Sequence, residues 1–190
     1  MAAEQETRRF DSPDEFRVWI EAEQDTSPGV WLVMAKKGSG QTTITYAEAL
    51  DIALAYGWID GQARRVDDET YVQRFTPRRS RSPWSMRNVR FAEAMIAEGR
   101  MTPRGIAEVE RARADGRWDR AYEGPKTAEP HSDFLAALDK NPAAAESFAG
   151  LNSQNRFMVY YRIQEAKRPE TRARRIDAFV EKLARGEKIL

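Results

Sequence analysis

The chain runs to 190 residues, with 31 Lys and Arg against 30 Asp and Glu, no cysteine and one histidine, His131. Lacking sulfur, it can build no disulfide, thiolate zinc site, iron–sulfur cluster or Cys nucleophile, and one imidazole cannot furnish a multi-histidine metal centre. A Ser-His-Asp triad could draw only on His131, so neither a metal nor a cofactor is expected.

Hydrophobic residues make up 41% of the chain and charged ones 32%, polar for a globular protein but apolar enough to fold. No apolar run approaches the roughly 18–20 residues that span a bilayer. Met1 to Phe10 has no apolar core of a secretory signal, which makes the cytoplasm the expected location.

Ser12-Pro13-Asp14-Glu15 predicts a helix start, with Ser12 as N-cap, Pro13 in the first turn and Glu15 closing a capping box. Phe16, Trp19 and Ile20 form its inward stripe as far as about Gln24. Val30 to Ala35 is a continuous apolar run of strand length, expected to be a central strand covered on both faces. Thr45 and Glu48 form a second capping box, opening a helix that Gly57 ends. Trp58 to Val66 and Thr70 to Thr76 flank Asp67-Asp68-Glu69 and predict an antiparallel hairpin with a three-residue loop. Helices follow from Ser85 to Gly99 and from Thr102 to Ala114. Glu123 to Pro130 has linker composition, and beyond it four helical stretches are expected: 132–138, 142–151, 153–167 and 169–185. The fold class is α+β, a small antiparallel sheet packed by helices and then an all-helical C-terminal unit, with domains at 1–127 and 128–190, the second packed on the first.

Near-zero net charge conceals segregation. Residues 1–26 hold eight acids and three bases, residues 62–90 eight bases and three acids, and residues 162–175 six bases and two acids. All eight bases of the middle stretch are arginine, whose planar fork grips carboxylate or phosphate at two points. These arginines either pair with internal carboxylates or await an anionic partner.

Three stretches carry the candidate site. The first is Lys36-Lys37-Gly38-Ser39-Gly40, leading through Tyr46 and Glu48 to Trp58-Ile59-Asp60-Gly61. The second is Arg74-Phe75-Thr76-Pro77-Arg78 with Trp84, and the third Lys167-Arg168-Pro169-Glu170-Thr171-Arg172. Strand alternation, with a three-residue loop, places Arg74 diagonal to Asp60 beside the Trp58 indole, a pair that either holds the sheet or orients a ligand. Lys36 and Lys37 end the neighbouring strand and are expected to frame the same mouth; their glycine loop lacks the full phosphate-binding fingerprint. Lys167, Arg168 and Arg172 crowd positive charge at a helix N-terminus, where an anion would relieve it. His131, in the linker, is expected to be exposed and idle.

Together these stretches resemble the YdeI/OmpD-associated family, the bacteriocin-protection proteins, from about Phe10 to Ala184. The helical part after His131 is similar to that family's OmdA module. The resemblance implies a link to bacterial defence against antimicrobial peptides, with no agreed catalytic activity and no catalytic residues to carry over.

The resulting expectation is a non-enzymatic binding protein with an Arg/Trp-lined cleft. Lys36, Lys37, Tyr46, Trp58, Asp60, Arg74, Arg78, Trp84, Lys167, Arg168 and Arg172 would meet an anionic small molecule or an acidic protein surface. The alternative is an enzyme using Asp60 or Glu48 as acid or base, which needs a carboxyl with a raised pKa. Nucleic acid is not expected as a partner, because a net charge of +1 is low for it.

Overall fold

The computed structural model describes residues 6–189, so Glu4, one of the acids counted in the N-terminal stretch, lies outside them. The elements are β1 (Thr7–Arg9), α1 (Pro13–Glu23), β2 (Val30–Ala35), α2 (Tyr46–Ala55), β3 (Trp58–Arg65), β4 (Thr70–Pro77), α3 (Met86–Ala97), α4 (Pro103–Ala114), α5 (Ser132–Asp139), α6 (Pro142–Ala149), α7 (Ser153–Gln164) and α8 (Pro169–Ala184). The chain divides into two compact units, one formed by residues up to 84 with 88–120, the other by 85–87 with the residues from 121 on. The class is α+β, and the second unit's elements from α5 to α8 are all helical.

In the first unit the strand order is β1-β2-β4-β3, which makes β2 an interior strand. Pairing is antiparallel between β2 and β4 and between β4 and β3. The sheet is not wholly antiparallel, however. β1 adds a parallel edge, Thr7 opposite Trp31 and Arg9 opposite Val33. Three exposed polar residues carry no apolar alternation, so only the neighbouring strand reveals this one.

The hairpin register departs from simple alternation at one place. Near the turn Arg64 faces Val72 and Arg65 faces Tyr71, as a three-residue loop requires; beyond a bulge between Asp60 and Ala63, Asp60 faces Phe75. The extra residue moves Asp60 to the opposite side of the sheet from Arg74. Gly61 lies at this irregularity, where a Cβ would already touch the Arg74 side chain at 3.6 Å. The expected Asp60–Arg74 pair is therefore replaced by two separate environments.

Helices α1 and α2 cover the side that holds Trp58, Asp60 and Phe75. Phe10, Phe16, Trp19, Trp58 and Phe75 form a connected aromatic core, with Phe16 stacked on Trp19 at 6.0 Å and Trp19 edge-on to Trp58 at 5.8 Å. The Ser12 cap and the Thr45/Glu48 capping box start these helices where the sequence places them. Continuous burial along β2 comes from this core on one side, whereas on the other its Trp31 is flanked by arginine side chains.

In the second unit Phe134, Leu138, Ala144, Val159, Ile163, Ile176 and Leu183 make a core of their own. His131 is not idle: its Nδ1 accepts the backbone N–H of Asp133 at 3.2 Å and caps α5. Asn141 and Asn152 cap α6 and α7 in the same manner.

Candidate functional site

The connection from β2 to α2 wraps around a hollow of about 440 Å³ lined by Lys36, Lys37, Thr42, Thr43, Tyr46 and Tyr71 among others. Local chemistry explains its shape. Gly38 and Gly40 take φ of +86° and +73°, a backbone region open to glycine, so the chain turns sharply after the two lysines. Thr43 Oγ1 then accepts the Ala35 N–H at 2.8 Å, and Ile44 returns to the core before Thr45 caps α2. The volume falls in the range of small-molecule sites.

The electrostatics are one-sided. Two lysines, threonine hydroxyls and two tyrosines line the hollow, and no carboxylate does. The nearby acids stand behind its wall and are hydrogen-bonded to lining residues: Asp60 accepts the Tyr46 hydroxyl at 2.8 Å, and Glu69 accepts Gln41 Nε2 at 2.5 Å. The backbone N–H of Thr45, then its hydroxyl, hold the Glu48 carboxyl below the ordinary glutamate range, so Glu48 is an ionised cap and not a poised acid. Burial pushes the Tyr71 hydroxyl above its usual range, leaving it a neutral donor. Lys36 Nζ donates to the Asp67 carbonyl, while Lys37 is exposed with no ion pair among the described residues.

Asp67 fastens the β3–β4 turn beside this hollow by accepting the N–H groups of Thr70 and Glu69 and the Thr70 hydroxyl. The Thr70 N–H first, and then the Glu69 N–H, depress its pKa. A carboxyl lowered in the folded state contributes stability that is complete above its unfolded value and is lost as pH falls through the folded one. A carbon-detected NMR titration should therefore place the Asp67 midpoint below that of an unstructured aspartate. A midpoint at or above the unstructured value would contradict this turn geometry.

Of the residues singled out in the sequence, Lys36, Lys37 and Tyr46 share the hollow, and Asp60 joins them through the Tyr46 hydroxyl. Trp58 and Trp84 do not wall a cleft, being 0% and 1% exposed. Trp58 is held in the aromatic core, because its place at the start of β3 faces α1. Trp84 lies 4.8 Å from Trp118, with the Arg78 guanidinium 3.5 Å from the Trp84 ring centroid and that of Arg113 5.0 Å from the Trp118 ring. Arg78 is buried and donates to the Pro83 carbonyl, which locks the segment between β4 and α3.

Arg74 is beside an indole, but that indole is Trp31, at 6.0 Å, with Arg64 closer at 4.2 Å. Sequence reasoning missed Trp31 and Arg64 as a site; β2 read as core, and a reader would have needed the bulge to orient Arg64. Lys167, Arg168 and Arg172 belong to the second unit, where Lys167 and Arg168 are exposed and Arg172 Nε lies 3.6 Å from Asp133. Arg168 caps α8 with no side-chain hydrogen bond.

A family model described as Domain of unknown function (DUF8412) matches residues 8–108. A second, OmdA, described as Bacteriocin-protection, YdeI or OmpD-Associated, matches residues 127–186. No curated protein and no solved structure matches the chain. The resemblance seen in the sequence thus holds over the helical unit, while the sheet-bearing unit falls under a separate description. With its first match taking in more than half of the sequence, the chain belongs to the DUF8412 family, and over residues 127–186 it carries an OmdA domain of the YdeI/OmpD-associated, bacteriocin-protection kind.

Proposed function

We propose that this is a non-enzymatic binding protein of the bacteriocin-protection kind, whose first unit holds an anionic small molecule at the Lys36–Tyr46 turn. The observation that carries this reading is a concave site bearing two lysines and the Thr42 and Tyr71 hydroxyls, with no carboxylate in its lining. Lys37 supplies the free charge and Lys36 is steadied by the Asp67 carbonyl, while Tyr46, whose hydroxyl proton goes to Asp60, forms part of the wall. An anion entering here exchanges water for charge-assisted hydrogen bonds, worth about 1.5–3 kcal/mol each. A role in resistance to antimicrobial peptides is what the description of the OmdA domain supports, with ligand binding as its molecular basis.

Inorganic phosphate and succinate, added separately to isotopically labelled protein, distinguish a phosphate from a carboxylate ligand. At least one should shift the amides of Lys37, Gly38, Gly40 and Thr42 in a saturable manner, and Lys37→Ala should weaken that binding about tenfold. Absence of localised shifts with both anions, or Lys37→Ala binding as the parent does, would remove the reading.

A further inference from the structure

The sheet has a second face, away from α1 and α2. Register places Trp31 and Val33 of β2, Val72 and Arg74 of β4, and Arg64 of β3 together on it. Val33, Val72 and Arg74 are half-buried, Arg64 is exposed, and Trp31 itself is buried. The two guanidinium groups lie 4.2 Å (Arg64) and 6.0 Å (Arg74) from the centroid of the Trp31 ring. Arg64 starts from the far side of β4, so its long arm is laid across the sheet to reach the indole.

Both cations lack an acidic partner. Among the described residues neither makes an ion pair or a hydrogen bond, and Arg74 Nε is buried with no acceptor. This contrasts with Arg65 on the adjoining position, which pairs with Asp68, and with Arg9 on β1, which pairs with Asp11. A guanidinium held against an indole is desolvated and fixed on one side while its N–H fork stays available for bidentate contact with a carboxylate. Arginines set among half-buried aliphatic side chains are among the residues that dominate protein–protein affinity, and the buried Trp31 serves here as their platform.

We infer that the Trp31 face of the sheet docks an acidic, carboxylate-bearing segment of another protein. Charge complementarity names the partner: two forks with no internal acid, set beside Val33 and Val72. A sheet face suits an extended segment better than an engulfed small molecule, which needs concavity. It also suits a polypeptide better than a nucleic acid, because phosphate-backbone binding draws on many cations and this face offers two unpaired ones, its third, Arg9, being held by Asp11.

The full-length protein can be titrated into a short fluorescein-labelled peptide alternating glutamate with valine, read by fluorescence polarisation. Saturable binding is expected, and exchange of every glutamate for glutamine should abolish it. Arg64→Ala should weaken it about tenfold or more, with Arg64→Lys failing to restore it because a lysine lacks the fork. Arg64 is exposed and, among the described residues, makes no ion pair or hydrogen bond, so both variants should fold, and unchanged far-ultraviolet circular dichroism verifies this. Failure of the acidic peptide to bind, equal affinity for the glutamine version, parental affinity in Arg64→Ala, or tighter binding of a short oligo(dT) would each overturn the inference.

Discussion

Replacing Trp58 by alanine should destabilise the first unit by about 3–5 kcal/mol, the range for emptying a large buried aromatic site. Trp58 is fully buried and stands edge-on to Trp19, with ring planes 82° apart. Such an aromatic pair contributes about 0.5–1.5 kcal/mol beyond burial itself. The loss amounts to a large share of the roughly 5–15 kcal/mol that holds a typical domain together. Urea unfolding followed by near-ultraviolet circular dichroism should show the midpoint falling sharply. Trp58→Phe should retain much of the stability, since a smaller ring still meets Trp19 and removes an indole N–H that has no hydrogen-bond partner among the described residues. A residue walling an open cleft would behave differently: its truncation would cost binding while stability moved within about 0.5 kcal/mol. A small stability change in Trp58→Ala would thus return Trp58 to the list of ligand contacts.

The contrast between Trp58 and Trp31 shows what a sequence can carry and where it stops. Helix starts were legible because Ser12, Thr45 and Thr102 are chemically compelled to cap the backbone ahead of them, and the structure has each of them accepting a backbone N–H. The hairpin loop was legible because Asp67-Asp68-Glu69 cannot continue a strand. Which face a strand residue takes was not, because a single bulge near Gly61 reverses the sides and leaves little mark in composition. Arginine does stand beside an indole, but the ring is Trp31 and not Trp58: Arg74 meets it across the β2–β4 pairing. The Lys36–Tyr46 hollow was partly legible, since Lys36 and Lys37 flank glycines that force a turn. Tyr71 and Thr43 were not, because they enter by strand register and by a side chain folding back on Ala35.

Gly105→Ala should destabilise the first unit although it replaces glycine with the best helix former. The helical propensity gain for such a change is about 1 kcal/mol. Against it stands the contact between α4 and the end of α2. An added Cβ would overlap the Ala55 carbonyl oxygen and come within 3.0 Å of both the Ala55 carbonyl carbon and Met101 Cε. That carbonyl is also the acceptor for the Thr102 N–H at 3.1 Å and the Thr102 hydroxyl at 2.7 Å, while Thr102 Oγ1 caps α4 by accepting the Gly105 N–H. Backbone cannot swing aside as a side chain can, so α4 must lift away and strain the bonds to Ala55. Overpacking costs about 1–3 kcal/mol and each lost hydrogen bond about 1 kcal/mol, so the penalties exceed the propensity gain and leave a net loss of roughly 2–3 kcal/mol. A urea midpoint that rises instead would show that α4 has room to absorb a methyl group and that this junction is looser than its geometry.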